Sequence, residues 1–434
     1  MKPKRKLKTR LWPPLLALLL IMLLSGGCDP AARYVQDPEV IASQSYRPET
    51  VYLGVVLPLS GAYAEQAAQM RAAMETAIDI VNHSHDLDWP LARNAGLAGY
   101  GNAQVELVFG DCESDRRLVA AAADDLLSLG VSGLIGAYDS DYTAIAARRA
   151  AVAGKPMLAG SAKSYELTDG ESYDFGVWFN RVAPIDDGES ALFFDYIKHL
   201  NLTQAAGINK LAIAYLDNDY GRHVLETFDA YAAEYGLEVV ARIIYQPGIE
   251  NVALEASRMI ANQPDALFQV SSLPDLSQFA SAYAAAQYNP KIAFCYSGGF
   301  QQGDFAALTR GLGLDWFAGL MMRPAAKEGA NTPQDFGGQQ IYDYINSLYR
   351  ARTGQNMNAS ALLEFTSVIV MAEAVNNAGT TQSEILAQTL RQQVFAAPYL
   401  PGGSVDFDDQ GQNVLLPGYL ALIVDGEYTD VFPL

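Results

Sequence analysis

Cysteine and histidine are scarce: three Cys and four His in 434 residues. So few cannot staple a chain of this length with disulfides or supply a zinc cluster. Basic residues are also few, with 29 Lys+Arg against 49 Asp+Glu and a formal net charge of −20. Six of those 29 (Lys2, Lys4, Arg5, Lys6, Lys8, Arg10) fall within the first ten residues, and residues 1–27 contain no acid. The chain after residue 27 therefore carries a net −26. Such a field repels phosphate backbones, which excludes a nucleic-acid partner. G-x-S-x-G, P-loop and G-x-G-x-x-G patterns are all absent. The pair His83-x-His85 has poor metal geometry for a helix and reads as solvated loop. The expectation is a protein that is not an enzyme, with no cofactor and no metal. What the chain has is apolar material: 50% hydrophobic residues and a mean hydropathy of +0.03. That excludes disorder and, at this length, suggests two or three domains.

The N-terminus reads as an address. Leu15 to Leu24 is an uninterrupted run of ten apolar residues behind the basic stretch. As helix it spans about 15 Å, half of a hydrocarbon core of roughly 30 Å. Residues 1–27 therefore read as a signal peptide. Ser25-Gly26-Gly27-Cys28 resembles a bacterial lipobox, with Ser25 where Leu is usual. Cleavage before Cys28 would leave an acylated cysteine as lipid anchor. Asp29 resembles the inner-membrane retention signal of enteric bacteria. The bland alternative is an ordinary secretory signal with an incidental Cys. Residues 28–50 read as a tether of Pro, Ala, Ser, Gln and charge. No later stretch reaches the roughly 18 apolar residues of a membrane helix.

From residue 51 short β-rich runs alternate with Ala-rich helical runs. Strands are expected at 51–59, 105–109, 133–137 and 156–159, with helices at 66–82, 118–129 and 143–152. After a pause around 177–183 the rhythm restarts, with strands at 211–216, 239–245, 266–270 and 292–296. Helices at 223–235, 253–262 and 276–288 separate or follow them. This is βαβ alternation, the pattern of parallel sheets covered by helices on both faces. A further strand is expected at 317–322, then helices at 336–349, 361–378 and 383–392. The tail has hairpin chemistry in SVDFDDQGQN and YLALIVDGEY.

In open parallel sheets, ligands sit outside the carboxyl ends of the strands. The residues there are small and polar: Ser60-Gly61-Ala62, Asp139-Ser140-Asp141, Ser161-Ala162-Lys163, Asp217-Asn218-Asp219-Tyr220, Ser271-Ser272 and Ser297-Gly298-Gly299. Any one Ser or Asp among them can simply cap a helix. As a set on two facing lobes, they would line a cleft for a small polar or anionic ligand.

Taken in order, VYLGVVLPLSGAYA, FGDCESDRR, LIGAYDSDYT, PMLAGSAKSYELTD, DNDYG and GGSVDFDDQGQN resemble the leucine/isoleucine/valine-binding protein family. These are the type I periplasmic receptors of ABC transporters, and the resemblance covers roughly residues 51–434. It implies an α/β fold of two Rossmann-like doubly wound lobes joined by three crossover strands. The crossings would fall near 181–184, 320–323 and 401–404. Lobe 1 would be residues 51–182 plus 323–402, and lobe 2 residues 183–322 plus 403–434. The resemblance also implies a small polar, amino-acid-like or amide-like solute between the lobes, a permease partner, and a location in the periplasm or on the cell surface. The membrane would be met only through the lipid anchor.

The implied ligand-binding set is Ser60, Asp139, Ser140, Ser161, Ala162, Lys163, Tyr220, Ser271 and Gly298. Lys163 stands where the family has Thr. It could pair with a second acidic group of the ligand or reach an acid of its own chain. Gly298 aligns with the family's amine-binding acid, so that acid is missing. Asp139, Asp141, Asp217 and Asp219 are candidates to replace it. Cys112 matches half of a family disulfide whose other position is Asp139, which implies a reduced, buried thiol. A second reading keeps the same fold as a ligand-sensing or regulatory lipoprotein acting on a protein partner.

Overall fold

The computed structural model describes residues 50–433, apart from 247, 297–299, 301–304, 323–332 and 416–418. The leader, Cys28 and nearly all of the tether lie outside the described residues, as does Gly298.

The first lobe is built on strands β1 (Thr50–Leu57), β2 (Gln104–Asp111), β3 (Leu134–Gly136), β4 (Met157–Ala159) and β5 (Phe179–Arg181). They pair in the order β2-β1-β3-β4-β5, all parallel. Its connecting helices are α1 (Ala64–Asn82), α2 (Pro90–Arg93), α3 (Val119–Ser128) and α4 (Ser140–Val152). The second lobe opens with α5 (Asp186–Gln204), β6 (Lys210–Leu216), α6 (Asp219–Glu234) and β7 (Glu238–Tyr245). It continues through α7 (Ala253–Ile260), β8 (Ala266–Val270), α8 (Leu273–Ala285), β9 (Ile292–Tyr296), α9 (Phe305–Leu312) and β10 (Phe317–Met321). Its parallel strands run β7-β6-β8-β9-β10, the same order as in the first lobe. The chain then forms α10 (Pro333–Thr353), α11 (Ala359–Ala378), α12 (Ser383–Gln392) and the short strands β11 (Phe395–Ala396) and β12 (Ser404–Val405). It ends in the antiparallel hairpin β13 (Tyr419–Val424) and β14 (Glu427–Phe432), which extends the second sheet beside β10. Asp425 and Gly426 turn that hairpin with positive φ at both residues, as a two-residue loop of this hand requires.

Strands β1, β3 and β4 bury nearly every residue, as expected where helices cover both faces. Gly54 permits the close approach of α3: a Cβ there would lie 2.7 Å from Leu134 Cδ2 and 3.2 Å from Leu126 Cβ. Helix α11 is apolar enough in length and composition to cross a membrane, with a mean hydropathy of 1.3 over its best window. Here 78% of that window is buried, and Phe365, Val368, Ile369 and Val375 lie in the first-lobe core. The expected pause around 177–183 holds β5, and two helices, α5 and α9, lie where the sequence pattern assigns no element. In α5, Phe193, Tyr196, Ile197 and Leu200 fall at i, i+3, i+4 and i+7 and, with Phe194, form one buried face, the stripe expected of a helix packed on a core.

The chain passes between the lobes three times. The first passage follows β5 and the second follows β10. Val405 and Phe407 still pack in the first-lobe core, so the third passage comes after them. Arg181, fully buried, ties the first passage to the third. Its Nε donates to Gln412 Oε1 at 2.8 Å, its Nη2 to Thr168 Oγ1 at 2.6 Å, and its Nη1 to the Ser164 carbonyl. Asn413 Nδ2 donates to the Val182 carbonyl at 3.0 Å and Gln412 Nε2 to that of Ala183 at 2.9 Å.

Candidate functional site

A cavity of about 370 Å³ lies between the carboxyl ends of the two sheets. Four helices begin on its wall: α4, α6, α8 and α11, through Asp139 and Ser140, Asn218, Ser272, and Asn358 and Ser360. Three of these starts are capped by side chains. Asp139 Oδ1 accepts from Tyr142 N–H, Asn218 Oδ1 from Gly221 N–H and Asn358 Oδ1 from Ala361 N–H, each at 2.8 Å. Ser272 makes no such bond. A helix N-terminus carries about half a positive charge and free N–H groups, so a wall holding four of them favours an anionic group.

The first lobe supplies most of the polar wall, and much of it is already hydrogen-bonded. Ser140 Oγ accepts from Ser164 N–H at 3.1 Å, joining the loops after β3 and β4. Ser161 donates its N–H (3.0 Å) and its hydroxyl (2.8 Å) to Glu364 Oε1 of α11, and the hydroxyl also lies 3.0 Å from the Tyr138 carbonyl. Glu364 is fully buried, and burial pushes its carboxyl above the usual range while the Ser161 bonds oppose that. Gly160 sits against it, where a Cβ would fall 2.5 Å from Glu364 Cδ. Burial also pushes the Asp139 carboxyl up to about 6, against the Tyr142 N–H bond. Lys163 reaches an acid of its own chain: Nζ lies 3.2 Å from Glu189 Oε2 of α5, with side-chain exposures of 16% and 2%. Burial raises the Glu189 carboxyl, and Lys163 opposes that rise.

Aromatic rings frame the same space. Tyr63 stacks on Tyr138 at 4.9 Å, and Tyr142 lies edge-on to Tyr63 at 6.5 Å. Tyr173 and, from the second lobe, Tyr220 complete this lining. Just beyond it, Tyr165 of the first lobe stacks on His223 of α6 at 3.9 Å. His223 Nε2 lies 3.0 Å from Asp187 Oδ1, a bond that holds the Asp187 carboxyl below its usual range.

Of the residues singled out from the sequence, Asp139, Ser140, Ser161, Ala162, Lys163 and Tyr220 line this one cavity. Ser60 does not: it is exposed, its N–H donates to Asp111 Oδ1 at 3.2 Å, and its carbonyl accepts from Ser114 Oγ. Ser271 is buried beside the cavity, its hydroxyl accepting from Tyr245 at 2.7 Å, and Ser272 lines the wall instead. Gly298 lies outside the described residues. Asp141 is at the rim near Arg116, while Asp217 is engaged by Arg222 at 2.7 Å. Sequence reading missed Tyr63, Gln66, Tyr173, Asn358 and the buried Glu364. Asn358 had a signal, an Asn directly before an Ala- and Leu-rich helix; Glu364 had none.

Cys112 and Cys295 are both free and buried, and burial pushes the Cys112 thiol up to about 11. His85 bonds Tyr344 OH at 2.9 Å and His83 pairs with Asp79 at 3.0 Å. No group of three or more His, Cys, Asp and Glu suited to a metal occurs among the described residues.

Comparison with known proteins agrees with this fold. A family model described as periplasmic binding protein matches residues 50–427. A chemotactic signal transduction substrate-binding protein of Halobacterium salinarum, BasB, is 24% identical over 251 residues, 56% of this chain. The match spans 55% of that relative's length. The crystal structure of LivJ from Streptococcus pneumoniae, a branched-chain amino acid transporter substrate-binding protein in complex with isoleucine, superposes with a TM-score of 0.68 at 18% identity. It covers 88% of this chain and all of that one. A solute-binding protein of an ABC transporter from Rhodopseudomonas palustris, in complex with 3,4-dihydroxybenzoic acid, gives 0.67 at 16%, covering 88% and 96%. At these identities the structural likenesses establish the fold.

Proposed function

We propose, because this chain belongs to the periplasmic binding protein family, that it is the lipid-anchored extracytoplasmic receptor of an ABC transporter. It captures a small polar, amino-acid-like or amide-like solute between its lobes and delivers it to a membrane permease. Cys28 is the lipidated residue in this reading. The observation that carries it is the convergence of Ser140, Ser161 and four helix N-termini on one inter-lobe cavity. Helix ends suit a carboxylate or amide oxygen, and Asp139 supplies the counter-charge for an ammonium group. Capture shifts the population toward closure, because the solute touches both lobes only when they are together. The expected boundaries at 182/183 and 322/323 are kept in this reading, while that at 402/403 moves beyond Phe407, since Val405 and Phe407 pack in the first-lobe core.

Mass spectrometry of small molecules copurifying with residues 30–434 tests the proposal. A bound amino acid, amide or related solute is expected. A chain that carries none, and whose melting temperature moves with no member of an amino-acid and amide panel, overturns it. A second reading, a sensor acting on a protein partner, draws support from the chemotactic role in BasB's name. It calls for a partner captured without solute.

A further inference from the structure

The loop after β4, residues 160–168, is fastened to the first lobe from behind. Ala162 and Leu167 lie in the first-lobe core, Ser161 is held by Glu364, and Arg181 holds both Ser164 and Thr168. The same loop reaches across to the second lobe twice. Lys163 pairs with Glu189 of α5, and the Tyr165 ring lies on His223 of α6. The receiving side is rigid too. His223 is held by Asp187, whose Oδ1 also accepts from Thr227 Oγ1 at 3.1 Å. Both helices are seated in the second-lobe core through Phe193, Val224 and Phe228.

Both cross-lobe contacts are made entirely by groups of this chain. The ion pair is largely shielded from water, so its attraction is stronger than that of a solvent-exposed pair. Separating the lobes here would leave the Glu189 carboxylate without its cation and uncover the faces of two stacked rings. We propose that residues 160–168 act as a strap that favours lobe closure through these own-chain contacts, with Lys163 a closure residue rather than the ligand's counter-ion. The proposal rests on the solute-receptor reading for its consequence: apparent affinity scales with the fraction of molecules in the binding-competent state. Loosening the strap therefore lowers affinity without removing any ligand contact at Ser140 or Ser161.

The test is pulsed electron–electron spectroscopy on the full chain in detergent, with nitroxides on V152C and L202C. Both positions are 76% exposed and lie toward the ends of α4 and α5, whereas Cys112 and Cys295 are buried. Bound solute is first stripped by unfolding and refolding. The parent protein is expected to show one dominant distance. The double variant E189Q/Y165A should lose it in favour of a second distance, Y165A alone should shift partway, and Y165F should match the parent because the ring stack survives. An unchanged distribution in both Y165A and the double variant, each still melting cooperatively, overturns the strap. Mass spectrometry of the unstripped samples reads solute capture separately. A solute with no distance change refutes the strap alone, and a distance change with neither a copurifying solute nor a melting shift across the amino-acid and amide panel supports the strap while refuting capture.

Discussion

The two lobes share one strand order and differ in how they meet the cavity. The first lobe brings three loops, after β1, β3 and β4, and the start of α11, the last three of these joined by hydrogen bonds through Ser140, Ser161 and Glu364. The second contributes Leu216, Asn218, Tyr220 and Ser272. Its own investment is in its core, where Phe193 stacks on Phe294, Phe194 stacks on Phe268, and Phe228 meets Phe268 edge-on. The same topology thus yields one half whose loops are hydrogen-bonded around the cavity and one half whose rings fill its core. Function sits in the loops that the shared framework positions.

Matched substitutions in the two lobes test this difference. The largest effect is expected for Lys163→Met, which strands the buried Glu189 and should cost about 3–5 kcal/mol of unfolding free energy. The counterpart Lys291→Met removes a pair with Asp265 that is 43% and 23% exposed, and should cost about 0–1 kcal/mol. Denaturant titration of both reads the contrast, and equal losses would erase it.

Glycine gives a smaller effect of opposite sign in the two lobes. Gly160→Ala drives a Cβ to 2.5 Å from Glu364 Cδ and 2.7 Å from its Cα, and should cost about 1–3 kcal/mol. Gly188, inside α5, has nothing within 4 Å of its Cβ position. Gly188→Ala should therefore stabilise by about 0.4–1 kcal/mol. Thermal melts that move in the same direction for both would contradict the tight packing assigned to the first-lobe loop.

A pH-linked effect is expected as well. The folded Asp139 carboxyl titrates at about 6, above its ordinary 3.8, because burial disfavours its charge. Its contribution to stability is fully present below about 3.8 and is lost as pH rises through about 6. Asp139→Asn keeps a good helix cap and removes the charge. Melting temperature should fall less between pH 4 and 6 in that variant than in the parent. Parallel pH profiles would show that the carboxyl is not shifted.

Much of the framework was legible from the chain. Continuous and alternating apolar runs marked the strands of both sheets except β5, which lies inside the expected pause at 177–183, and Asp425-Gly426 marked the final hairpin. Six of the nine proposed ligand-binding residues meet at one cavity because strand ends in parallel sheets point the same way. Ser60 and Ser271 obey the same rule, yet turn to local partners, Asp111 and Tyr245. No pattern rule distinguishes a strand-end serine that faces the cleft from one that faces its neighbour. Helix α5 escaped notice although Phe193, Tyr196, Ile197 and Leu200 keep helical spacing.

The sequence by itself determined the alternation of elements, the parallel sheets and the small polar character of the strand ends. These follow from local periodicity and turn chemistry, which nearest neighbours encode. Only the tertiary structure decided that Glu364, one of two acids inside an apolar helix, lies beneath Ser161, 203 residues away. It also decided that Lys163 spends its charge on Glu189 across the lobes. Such pairs arise where separately folded elements pack together, and local spacing along the chain carries no record of which surfaces will meet.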